Sequence, residues 1–231
     1  MRNTKNILIY SLLALSIAGC SKKLDETNKN PNATENAQPD YLLTAAIKTS
    51  VDAYWGTTNN MNSSLLFIQH WAKMQYTEED RYVFSNSSFA SLWSTLYSTS
   101  INNLNELSKL GLQQDNKNYQ GVALTLRSWA FLLLTDAYGD IPYSQAGNIK
   151  AYVTPVYDRQ QDVYNGLLAD LATAQSLLDP AGKTIAGDVI YSGDITRWKK
   201  FANALRLRIA LRIADRDADK ARIVVNEVKS Q

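Results

Sequence analysis

Cysteine and histidine are almost absent: Cys20 and His70 are the only ones in 231 residues. A lone cysteine excludes any disulfide within the chain and any CxxC metal or redox pair, and one histidine beside it cannot complete a zinc site. A charge excess is missing as well. Arg2 and Lys5 are the only charged residues before Cys20, so from Cys20 onward the chain carries 22 basic and 22 acidic residues. That balance leaves nothing to neutralise a phosphate backbone, and no nucleic-acid partner is expected. Gly182-Lys183-Thr184 is not a phosphate loop, because Leu177 stands where the motif needs its first glycine. No apolar run reaches the ~20 residues that span a bilayer.

What is present begins at the N-terminus. Arg2 and Lys5 precede an apolar stretch at 7–17, and Ile17-Ala18-Gly19-Cys20 follows. This order reads as a lipoprotein signal peptide, residues 1–19, cut before a cysteine that carries the lipid. Small side chains at Ala18 and Gly19 let a peptidase approach, and Cys20 supplies the sulfur for a thioether-linked diacylglycerol. Residues 20–38 are polar, with Asn28-Lys29-Asn30-Pro31-Asn32 at their centre, and read as a lipidated, solvated tether. The expected anchor is therefore Cys20, with several acyl chains giving stable membrane attachment.

From residue 39 to 231 the apolar residues recur at helical spacing. Val122, Leu126, Trp129, Ala130, Leu133, Leu134 and Ala137 step by three and four along one stripe. Further helices are predicted at 39–54, 60–75, 88–110, 159–178 and 195–214, with a last one starting near Asp217. Gly111, the run Tyr138-Gly139-Asp140-Ile141-Pro142 and the run Asp179-Pro180-Ala181-Gly182 supply the breaks. Strand signals are sparse, so the domain is expected to be all-α. Two helical hairpins, near 88–138 and 159–215, resemble stacked tetratricopeptide-type units without a clean internal repeat. Residues 222–229 still read as helical with no cap before Gln231, so the chain is expected to be the N-terminal part of a longer one.

Catalysis is hard to assemble from these residues, and no enzyme activity, cofactor or metal is expected. His70 lies beside Trp71 and reads as a partly buried structural residue. Asp136 and Asp140 flank a helix end and Glu78-Glu79-Asp80 form an acidic cluster. A glycosidase pair needs a fixed separation across a rigid cleft, so hydrogen bonding at helix ends is the default role of Asp136 and Asp140. Arg206, Arg208, Arg212 and Arg216 interleave with Trp198, Phe201, Leu205 and Ile209 as in an ordinary amphipathic helix, with acid partners such as Asp215.

Aromatic residues are the positive signal, with 13 Tyr and 5 Trp. Flat amphipathic rings stack on sugars and also fill cores. Trp55, Trp71, Tyr76, Arg81 and Tyr82 are the candidate ligand-binding residues, with Tyr54 among them and Asn59, Asn60 and Gln75 able to bond hydroxyls. For any single one of these, core packing is the competing reading.

Two stretches resemble the SusD/RagB family of nutrient-binding outer-membrane lipoproteins. One is Ala123, Arg127 and Phe131 followed by Asp136-Ala137-Tyr138-Gly139-Asp140-Ile141-Pro142-Tyr143-Ser144. The other is Gly187-Asp188-Val189-Ile190-Tyr191-Ser192-Gly193-Asp194 with Trp198 through Arg208 after it. Asn30-Pro31-Asn32 and the helix at 162–178 are similar too. The glycine and proline of the first stretch force a reversal, and Tyr138 and Tyr143 are expected to pack across it. The resemblance implies a surface-exposed, lipid-anchored lid on a TonB-dependent SusC-like β-barrel that captures oligosaccharides or other nutrients and hands them inward. A glycan-degrading lipoprotein using Asp or Glu is the alternative, and a partner that only closes the barrel is a third.

Overall fold

The computed structural model describes residues 37–85 and 87–230. Cys20, the signal peptide and the tether up to residue 36 lie outside the described residues, and the helical unit begins at Gln38.

Local chemistry starts four of the eight α-helices among the described residues. Pro39 occupies the first turn of α1 (Pro39–Trp55), where its missing N–H costs nothing. The chain then enters a π-helix, Thr57–Ser64, which ends in the single turn α2 (Leu65–Phe67). A 3₁₀ turn, Glu79–Arg81, interrupts the following loop. Next comes one helical rod in three parts: α3 (Ala90–Thr95), a π segment Leu96–Ile101, and α4 (Asn102–Gln113). Asn116 caps α5 (Lys117–Tyr138), accepting from the backbone N–H groups of Asn118 and Tyr119. Gly139 ends it with φ 78°, a conformation that glycine adopts without a Cβ penalty. After α6 (Gln160–Leu177), Asp194 caps α7 (Ile195–Ile213) and Asp217 caps α8 (Ala218–Lys229) in the same way as Asn116.

Successive helices pair. α4 packs on α5, α6 on α7 and α7 on α8, while α5 sits at the centre and touches α1, α4, α6 and α7. Among the described residues there is no strand, only an isolated bridge between Ile141 and Asp158. The fold is thus all-α with stacked helical hairpins, and Phe131, Leu126, Leu167 and Trp198 fill its core. None of the described helices is long and apolar enough to cross a membrane.

Four of the helices predicted from apolar spacing appear within three residues of their expected ends. The helix predicted at 60–75 does not: regular structure stops at Phe67. Gln69 adopts a left-handed φ of 58°, and the N–H groups of His70 and Trp71 both turn back to the Leu65 carbonyl, 2.9 and 3.1 Å away. His70 is consequently exposed in a loop rather than partly buried.

Both motif stretches brace helix pairs. Tyr138 and Tyr143 do not pack on each other across the reversal. The Tyr138 ring meets Trp93 edge-on, whereas Tyr143 meets Phe131 edge-on and its hydroxyl donates to Asp170 over 2.7 Å. Gly166 permits that second contact, because a Cβ there would stand 2.4 Å from the Tyr143 ring. Arg127 joins three helices by donating to Asn105 on α4 and Asp170 on α6. In the second stretch the buried Asp188 carboxylate accepts from the N–H groups of Ile190, Tyr191 and Gly193 and, at 2.7 Å, from the Trp198 indole.

Candidate functional site

The carboxylates are engaged structurally. Asp136 accepts from the Tyr164 hydroxyl at 2.8 Å and from Arg212 at 2.6 Å, and Asp140 accepts from the Gln160 N–H that opens α6. Glu79 pairs with the Lys73 ammonium at 2.7 Å and Asp80 accepts the Lys73 N–H. The Lys73 hydrogen bond holds the Glu79 carboxyl below its ordinary range. Arg206 and Arg212 bond to Glu227 and Asp136, and Arg208 to the Tyr54 hydroxyl, so the α7 arginines find partners other than Asp215. Among the described residues no group of three or more His, Cys, Asp or Glu is placed to hold a metal ion.

A cleft of about 530 Å³ opens where the end of α1, the π-helix and the end of α5 meet. Such a volume lies within the ~300–1,000 Å³ of typical small-molecule sites. Tyr54 and Trp55 line it from α1, and Asn59, Asn60, Ser63 and Ser64 from the π-helix. The π-helix accounts for that polar edge, because its wider turn, closed by i→i+5 bonds, lets residues four and five apart share a face. Ser63 and Ser64 both donate to the Asn59 carbonyl, and the Asn59 side-chain amide donates to Ala53 O at 2.9 Å. Tyr54 is fixed by stacking on Trp129 at 5.2 Å and by Arg208 on its hydroxyl. Phe67, Phe89 and Tyr138 complete the wall.

The candidate residues divide. Trp55 lines the cleft and is 58% exposed. Tyr82 stacks on Phe67 from the cleft wall at 5.8 Å and donates its hydroxyl to Phe67 O at 2.8 Å. Trp71, Tyr76 and Arg81 stand on the exposed loop after α2, outside the residues lining the cleft. Trp71 and Tyr76 are 52% and 82% exposed, so neither belongs to the core. Sequence reasoning missed Phe67, Phe89 and Tyr138 as site residues. A usable signal existed, since three of only five phenylalanines fall between 67 and 89.

A second crevice, about 500 Å³, adjoins the first and shares Phe89 and Tyr138 with it. A further cleft, about 510 Å³, lies at the junction of α6 and α7 and is polar and charged, with Arg212, Arg216 and Asp217 among its lining.

Comparison with known proteins accords with this architecture. A solved chitin-binding protein is 32% identical with a TM-score of 0.73, over 84% of this chain and 43% of its own. A SusD-like protein of Bacteroidetes is 28% identical with a TM-score of 0.71, over 84% of this chain and 37% of its own. A SusD/RagB family protein of Bacteroides thetaiotaomicron is 25% identical with a TM-score of 0.70, over 84% and 43%. The chain therefore spans about two fifths of the length of these solved relatives. No curated protein matches the sequence. A family model described as starch-binding and associating with the outer membrane matches residues 31–230, and with that match, the shared helical fold and the two motif stretches, the chain belongs to the SusD-like family.

Proposed function

We propose that this chain is a lipid-anchored, surface-exposed outer-membrane protein that captures oligosaccharides and delivers them unchanged to a TonB-dependent SusC-like β-barrel. The observation that carries the reading is the cleft beside Trp55, whose lining combines aromatic side chains with a row of amides and hydroxyls. Sugar rings present apolar C–H faces and a rim of hydroxyl groups, so a wall that stacks and an edge that hydrogen-bonds match both. Binding without chemistry is supported by the same lining, since among the described residues none of the cleft's side chains is a carboxylate or an imidazole and glycoside hydrolysis needs a pair of acids. Family membership supports the outer-membrane location and the glycan class. Trp71, Tyr76, Arg81 and Tyr82 extend the binding face outward along the loop from the cleft. Cys20 supplies the lipid.

The test is calorimetry on the full chain in detergent micelles with starch- and chitin-derived oligosaccharides, followed by an assay for new reducing ends. Saturable binding with no new ends is the expected result. Turnover of a bound sugar would favour the glycan-degrading alternative, and absence of binding to every glycan tried would remove the capture reading. The anchor is tested separately: Cys20→Ala is expected to move the protein out of the membrane pellet or leave it unprocessed.

A further inference from the structure

We propose that the crevice at Phe84, Phe89, Trp93 and Tyr138 is a second subsite, continuous with the Trp55 cleft, so that together they take an extended, uncharged oligosaccharide. This inference rests on the capture reading above and adds to it a ligand length and a ligand charge.

Continuity comes from the shared wall. Phe89 and Tyr138 line both spaces, and Phe67, Phe84 and Phe89 contact one another with centroids 5.0 to 6.4 Å apart. The wall is held in place from behind, because the Tyr138 hydroxyl donates to the Phe89 carbonyl at 2.6 Å. Burial pushes the Tyr138 phenol up, so it remains a neutral donor through physiological pH. On the far side Trp93 is clamped edge-on by Tyr138 at 5.1 Å and stacked by Tyr157 at 6.1 Å. The crevice therefore offers preset ring faces, which bind at low entropic cost. Among the described residues its polar side-chain groups are the Ser85 and Tyr138 hydroxyls and the Trp93 indole N–H.

Charge selects the ligand class. Among the described residues no Asp, Glu, Lys, Arg or His lines either the cleft or the crevice, although charged residues make up 20% of the chain. A uronate or sulfate held there would lose hydration without gaining a counter-ion, whereas a neutral ring gives up only hydroxyl hydration that the Asn and Ser edge replaces. The charged cleft between α6 and α7 shows that the same scaffold can build an ionic lining elsewhere.

The experiment is calorimetry on the full chain in detergent micelles, with malto- and N-acetylchito-oligosaccharides from disaccharide to hexasaccharide and with oligogalacturonates as the charged counterpart. Affinity is expected to rise about tenfold from the shortest to the longest neutral ligand, as one additional stacked ring requires. Ala90→Glu places a charge at the exposed first residue of α3, lining the crevice alone, where a helix start tolerates an acid. It is expected to bring the ratio of long to short affinity close to one, and Phe84→Ala to lower the same ratio, with thermal melts reporting that both variants fold. Length-independent binding, or a ratio untouched by Ala90→Glu, overturns the second subsite while the capture reading stands. Oligogalacturonate binding as tight as the neutral series overturns the charge selection alone. Failure of every glycan to bind removes the capture reading and this inference with it.

Discussion

The hydroxyl of Tyr138 donates to the carbonyl oxygen of Phe89 across 2.6 Å, joining the last residue of α5 to the residue that precedes α3. The two residues are 49 positions apart in sequence, and both line the cleft and the crevice. One side-chain bond thus ties together the wall that the two spaces share.

Removing that bond tests its role. Tyr138→Phe keeps the ring and its contact with Trp93, so it is expected to lower stability by about 1 kcal/mol, the net worth of one hydrogen bond. If the bond also sets the position of that wall, glycan affinity falls several-fold. Urea titration and calorimetry on the same sample read the two effects, and an unchanged affinity would mean that packing alone holds Phe89.

Trp55 and Trp71 are both exposed and differ in whether they line the cleft. Trp55→Ala is expected to weaken glycan binding about tenfold, the effect of one lost stacking face, with a melting temperature close to the original. Trp71→Ala is expected to weaken capture less, because its contact lies on the loop outside the cleft. A larger loss at Trp71 would move the principal site onto that loop.

Asp188 is expected to be among the most sensitive positions for folding. Its carboxylate serves three backbone N–H groups and the indole of the fully buried Trp198. Asp188→Ala strands these donors, and buried donors without partners cost about 1–3 kcal/mol each before relaxation and water entry reduce the sum. A loss of roughly 3 kcal/mol or more in denaturant unfolding is expected. A loss under about 1 kcal/mol would show that water replaces the carboxylate without penalty.

Asp158 should give the loop between α5 and α6 an acid sensitivity. Burial opposes its charge, but the N–H groups of Ser144 and Tyr143 and the Ser144 hydroxyl outweigh that, and its pKa is lowered. Because the folded value lies below the unfolded one of about 3.9, the stabilisation is complete above that unfolded value and fades as pH falls through the folded value. Amide exchange at Tyr143 and Ser144 is expected to lose protection, relative to the rest of the chain, below about pH 4. Asp158→Asn should show the looser loop at neutral pH with little further change on acidification. Equal acid response in both proteins would refute the assignment.

Most of the helices were legible because their information is local. Stripes at three- and four-residue spacing, Pro39 at a helix start, and Gly139 and Pro142 at a stop act within one or two turns, and the observed ends of α1, α6 and α7 agree with those marks to within one residue. The stretch 60–75 misled because Ile68, Trp71 and Met74 recur at helical spacing, yet all three are exposed. Periodicity reports a face capable of burial; it does not provide a surface to bury it against.

By itself the sequence determined the all-α class, the exclusion of a disulfide within the chain, and the family, since composition and contiguous motifs are properties of neighbouring residues. It also picked out Trp55 and the amides of Asn59 and Asn60. Only the tertiary structure decided that these meet Phe89 and Tyr138, that Trp71, Tyr76 and Arg81 stand apart on a loop, and that the described residues lining the cleft are uncharged. The reason is that a binding cleft is an arrangement among helices distant in sequence. It is set by how α1, α3 and α5 pack, and no local pattern encodes which side chains that packing leaves facing the same space.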